Sequence, residues 1–121
     1  MREHGEFVSA YIEALLWAES GDDDSPLGKD AMPEELSADA MADIERDCAL
    51  FLAEPTIAEL VDKHGETKCG HDFWLTRRHH GAGFWDGDYP KDAEDALMTQ
   101  CAKFHDPDPY RGDDGMIYFL S

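Results

Sequence analysis

The stretch Gly70–Gly87, GHDFWLTRRHHGAGFWDG, holds two of the chain's three Trp, three of its six His and an Arg-Arg pair. How it folds decides the architecture. HDFWLTR and GFWD are aromatic-rich runs on either side of the glycines of HHGAG, a pattern that predicts two antiparallel strands. Phe73 and Leu75 then share one face, Trp74 and Thr76 the other. Gly81 and Gly83 supply the backbone freedom of a tight connection, and Phe84 and Trp85 pair across it. A strand with aromatics on both faces is either covered on both or presents Trp74 or Trp85 to a partner. Trp beside Arg is a common binding composition, so Trp74, Arg77, Arg78 and Trp85 form one candidate partner-binding surface.

Upstream, the period is helical. FVSAYIEALLWAES places Phe7, Tyr11, Ala14 and Leu15 at three- and four-residue spacing, which predicts an amphipathic helix over about 6–19. GDDDSPLGKDAMP is rich in turn formers and charge and reads as an exposed loop. Ser37 caps a second helix that carries Met41, Ile44, Cys48, Phe51 and Leu52 on one stripe and runs to about Ala53 before Pro55. Thr56 with Glu59 reads as a capping box for a third, short helix closed by Gly65.

Downstream, Ala93, Leu97, Cys101 and Phe104 return to helical spacing after Pro90. Lys103 and His105 suit that helix's C-terminal dipole. The dipeptide Asp114-Gly115 lies between Tyr110 and the run Met116–Leu120, a hairpin signal. The predicted fold is α+β: the N-terminal helices and one later helix, about 91–104, packed on a four-stranded antiparallel sheet built from two hairpins. At 121 residues the length suits a single domain.

The charge is lopsided. Ten Lys and Arg against 28 Asp and Glu leave a net −18. Residues 1–60 hold 16 acids and 3 bases (−13), and residues 61–121 hold 12 acids and 7 bases (−5). A charge run is usually a solvated face, and halophilic habitats select acidic proteins, but self-repulsion of this size opposes folding. Direct nucleic-acid binding is disfavoured, because it relies on Lys and Arg displacing counterions from phosphates. A basic partner suits the surface better, and duplex DNA offers a mimic about one charge per 1.7 Å to imitate. The candidate acidic face comprises Asp22, Asp23, Asp24, Glu34, Glu35, Asp39, Asp43 and Asp47.

Catalytic and cofactor signals are weak. Cys69, His71, Asp72, His79 and His80 are competent metal ligands, but their spacing matches no zinc pattern, and exposed turn histidines are the commoner occurrence. His71-Asp72 lacks the further His and Asp ligands a phosphohydrolase dyad needs. GAGFWDG lacks the third glycine and the helix of a dinucleotide fingerprint. DGDYPKDAEDAL has Lys91 and Leu97 where a calcium loop needs glycine and glutamate. Ser9, Ser20, Ser25, Ser37 and Ser121 lie in no nucleophile-elbow context. A Cys–His nucleophile built from Cys69 or Cys101 with His71 stays open, although Cys101 on an apolar helix face reads as core. The expectation is therefore no cofactor, no metal and no enzyme. Cys48, Cys69 and Cys101 form no C-x-x-C pair, and MREHGEFVSAYIEALL holds no apolar run of signal or membrane-span length, which predicts a cytosolic protein with reduced thiols.

Three segments, GHDFWLTRRHHGAGFWD, YRGDDGMIYFL and YIEALLW, make the chain resemble a family of small uncharacterised bacteriophage and mobile-element proteins. In these the central motif usually reads GHDFWLTRNGHGAGFWD, and this chain has Arg78-His79 where Asn-Gly is common. The likeness extends over nearly the whole length. It implies a mobile-element origin, where small acidic blockers of host defence nucleases are frequent, though a lineage identifies no target. The functional expectation is an inhibitor of a host defence nuclease complex, anti-CRISPR or anti-restriction, acting in the host cytoplasm through an acidic, DNA-mimicking surface on a basic nucleic-acid-binding protein. The alternatives are a zinc- or manganese-dependent hydrolase or nuclease using the histidine-rich hairpin, and a phage accessory protein with no inhibitory role.

Overall fold

The computed structural model describes residues 5–79, 83–85 and 89–120. The fold is α+β, and the described residues form five α-helices followed by one antiparallel hairpin. Helix α1 (Gly5–Ala18) buries Phe7, Tyr11, Ala14 and Leu15, the stripe its spacing predicts. Helix α2 (Ala38–Leu52) starts where the Ser37 hydroxyl accepts the Ala40 N–H at 3.0 Å. Helix α3 (Pro55–His64) starts one residue before the predicted Thr56 cap. Glu54 is the capping residue, accepting the Thr56 N–H at 3.3 Å, and Pro55 takes the first helical position, where a missing N–H leaves nothing unsatisfied. Gly65, with φ of 108°, ends α3 as expected and leads directly into the next helix.

That next helix overturns the first predicted hairpin. Glu66–Arg77 is α4, not a strand, and Gly83–Trp85 is a turn rather than its partner. Among the described residues the sheet therefore has two strands instead of four. Gly70, Phe73, Trp74 and Arg77 recur at helical spacing and are all buried. Gly70 lets α4 cross α1 closely, since a Cβ there would collide with the Phe7 carbonyl oxygen and lie 2.9 Å from Ala10 Cβ. Phe73 sits at the centre of an aromatic cluster, stacked on Phe51 at 4.1 Å and tilted against Tyr11 at 5.3 Å. Trp74 meets Tyr11 edge-on at 5.3 Å. Phe84, fully buried, stacks parallel to Phe51 at 5.8 Å, and its N–H donates to Thr76 Oγ1 at 3.1 Å. The turn glycine Gly81 and the candidate ligand His80 lie outside the described residues.

Helix α5 (Lys91–Cys101) packs Ala93, Leu97 and Cys101 inward. Its Gln100 amide donates to the Phe51 carbonyl at 3.2 Å, satisfying an orphan acceptor at the end of α2. Strands β1 (Pro109–Arg111) and β2 (Ile117–Phe119) form the second predicted hairpin, with Tyr110 opposite Tyr118. Gly115, with φ of 81°, follows the Asp113-Asp114 tip. The Ser37 N–H donates to the Ile117 carbonyl at 3.1 Å, which ties the hairpin to the entry of α2.

Candidate functional site

The arginines of the central motif point inward. Arg77 Nη1 donates to Asp47 Oδ2 at 2.8 Å and to the Tyr11 hydroxyl at 2.9 Å, while Nε and Nη2 both donate to the His105 carbonyl. The guanidinium lies 5.5 Å from the Phe73 ring centre and 5.4 Å from that of Phe104. Trp74 is fully buried, and its indole N–H donates to Glu19 Oε2 at 3.1 Å. Arg78 bridges Glu19 Oε1 at 3.1 Å and Asp106 Oδ1 at 2.6 Å. The expected Trp–Arg surface therefore does not exist as such. Trp74 and Arg77 are core, Arg78 is a half-buried clamp, and of the four only Trp85 is exposed. The reason is the change of element, because a helix of this composition buries Phe73 and Trp74 together instead of on opposite faces.

The eight candidate acids also divide. Asp47 anchors Arg77, and Asp43 pairs with Arg46 at 3.0 Å. Glu35 accepts Arg111 at 3.1 Å. The Arg111 guanidinium and the Met32 backbone N–H hold the Glu35 carboxyl below its usual range. These three carboxylates work within the fold, which corrects their assignment to a free acidic face. Asp22 is exposed and also orders its own loop, accepting the Asp24 N–H at 2.9 Å. Asp23, Asp24, Glu34 and Asp39 are exposed and make no ion pair among the described residues. The set of exposed, unpaired candidate acids is thus smaller than the charge count suggests.

The motif's reactive groups are committed elsewhere. Asp72 accepts the Tyr89 hydroxyl at 2.6 Å, and that oxygen also lies 3.6 Å from Cys69 Sγ. His71 Nε2 is 2.8 Å from Glu13 Oε1 on α1. Burial pushes the Cys69 thiol up to about 11 and the Cys101 thiol up to about 12, so neither is a thiolate near neutral pH. Among the described residues no three His, Cys, Asp or Glu converge on a metal-sized space. No described helix is long and apolar enough to cross a membrane.

Two exposed hydrophobic residues that the periodicity leaves out share a groove with Glu13 and Asp30. Trp17 is 75 % exposed and Met32 53 %. Both line a groove of about 560 Å³ between α1 and residues 30–33. Ile12, Leu16 and Trp17 make a second apolar stripe beside the buried one, and that stripe was the available sequence signal. No family model, curated protein or solved structure matches the chain.

Proposed function

We propose that this small acidic α+β protein is an inhibitor that binds by charge, covering the basic nucleic-acid-binding surface of a host defence nuclease complex. One observation carries the reading. The fold pairs Arg77, Arg78 and Arg111 with carboxylates, the first two inside the protein, and leaves Asp23, Asp24, Glu34 and Asp39 exposed outside such pairs. Net charge alone would be compatible with a mixed surface. With these three cations paired, the unpaired exposed acids add to the outward anionic field, and such a field attracts a Lys- and Arg-lined channel over about 10 Å at 0.1 M salt. The resemblance to mobile-element proteins supplies the biological setting, anti-CRISPR or anti-restriction activity in the host cell. The protonated, buried thiols and the internally bonded Asp72 support a binding role over a catalytic one.

The test is affinity capture from host lysate with the wild type and with a variant carrying Asp23→Lys, Asp24→Lys, Glu34→Lys and Asp39→Lys. The expected partner is a nucleic-acid-binding protein recovered by the wild type alone, released by raised salt, and unable to bind or cleave DNA while held. Equal recovery by the variant, or a partner whose DNA binding is unaffected, rejects the proposal. Asp47 is left unchanged because it supports Arg77.

A further inference from the structure

We infer that the groove beneath Trp17 is a docking site for a basic amphipathic helix of the partner. This rests on the charge-driven binding proposed above and names where specificity is added to it. One wall is α1, where Ser9, Ile12 and Leu16, and beside them Glu13 and Trp17, lie along one side at three- and four-residue spacing, with Ser20 just past the helix end. From Ser9 to Trp17 that side extends about 12 Å, a little over two helical turns. The other wall is residues 30–33, and it is held in place. Arg111 donates from Nε to the Leu27 carbonyl at 3.0 Å and from Nη2 to the Asp30 carbonyl at 2.7 Å. The Met32 N–H donates to Glu35 Oε1 at 2.8 Å. Trp17 also borders a second hollow with Glu13, Ala14, His71 and Leu75, so its ring stands as a ridge between two depressions.

The lining selects the occupant. Ile12, Leu16, Trp17, Ala31 and Met32 are apolar, Asp30 and the exposed Glu13, whose Oε1 also meets His71, are its charged residues, and no Lys or Arg lines it among the described residues. An exposed Trp between shallow hollows takes apolar side chains, and the two carboxylates favour Lys or Arg beside them. A segment with apolar residues at i, i+3, i+4 and i+7 and basic residues between them meets both requirements over the length of the groove. A second copy of this chain meets only the first, since it brings the same negative charge.

The probe is a synthetic peptide of Leu and Lys, about 14 residues long and roughly 21 Å as a helix, patterned with one apolar face. Its control is a scrambled peptide of identical composition and charge. Binding is followed by NMR titration of the full chain, with sedimentation velocity of the free protein. The patterned peptide should bind at least about tenfold tighter than the scrambled one, shifting the Trp17 indole and residues 30–33. Trp17→Ser and Met32→Ser should each remove that preference, leaving the weak charge-driven binding common to both peptides. Trp17 is exposed, so its replacement leaves the fold intact, which the unchanged remainder of the spectrum checks. Equal affinity for the two peptides, shifts outside the groove, or a dimer of the free protein dissolved by Trp17→Ser overturns the inference. The fourfold charge reversal should weaken both peptides alike, so the two proposals fail separately.

Discussion

Arg77 Nη1 lies 2.8 Å from Asp47 Oδ2, joining the last turn of α4 to α2 through a guanidinium whose side chain is 2 % exposed. All three nitrogens of that group donate. Replacing Arg77 by Met leaves the Tyr11 hydroxyl and the His105 carbonyl without this donor, and leaves Asp47 with Arg46 Nε at 3.2 Å alone. Removing one member of a buried pair costs about 3–5 kcal/mol. Urea unfolding of Arg77→Met should reveal a loss in that range, with a smaller loss for Asp47→Ala because Arg77 keeps two acceptors. A change below about 0.5 kcal/mol in both would mean the pair is not structural.

Gly70→Ala tests the crossing of α1 and α4. Helix propensity alone predicts a gain of about 1 kcal/mol. The added Cβ meets the Phe7 backbone, which cannot move aside as a flexible side chain could, so a net loss of about 1–3 kcal/mol is expected. A stabilised variant would show that the helices are further apart.

His79 follows the last turn of α4 with φ of 59°, a left-handed conformation that costs most residues about 1–2 kcal/mol. Its exposed side chain forms no part of the core. His79→Gly should raise the unfolding midpoint, reflecting about 1 kcal/mol. A lowered midpoint would contradict the left-handed turn.

His64 should make stability fall on acidification. Burial first, then Lys63 and Lys68, hold its imidazole below the ordinary value, and its Nε2 has no hydrogen-bond partner among the described residues. The unfolded chain takes up a proton near pH 6.5 that the folded chain refuses. Stability contributed by the neutral ring is therefore present above about pH 6.5 and is lost as pH falls toward the lower folded value. Comparing wild type with His64→Gln between about pH 7.5 and 5 isolates this group from the other acids. The wild type should lose ground to the variant over that window, and a constant difference would refute the assignment.

Cys48, Cys69 and Cys101 are all buried free thiols. Burial is the leading cause that raises each of them above its usual range. A chromogenic disulfide reagent should react with them only at the rate of unfolding and rapidly in denaturant. A fast stoichiometric reaction of the native protein would reopen a thiol-based chemistry.

Local pattern was enough for α1, α2, α3 and α5, because each buries an apolar stripe at helical spacing, and α2 and α3 add a capping residue at their start. The Asp114-Gly115 hairpin was legible for the same kind of reason, since a tight turn is specified within a few residues. The excess of acid was legible too. Helix α4 was not, because its aromatics favour strands locally and its periodic positions include Gly70 and Arg77, which do not count as apolar until their partners are known. Those partners, the Phe7 backbone, Asp47 and the His105 carbonyl, come from distant parts of the chain. Tertiary packing therefore decided that this segment is a helix, that its Arg and Trp point inward, and that Trp17 is left at the surface. Composition sets how much charge a chain carries, whereas long-range contacts choose which charges are used up inside and which are left to face a partner.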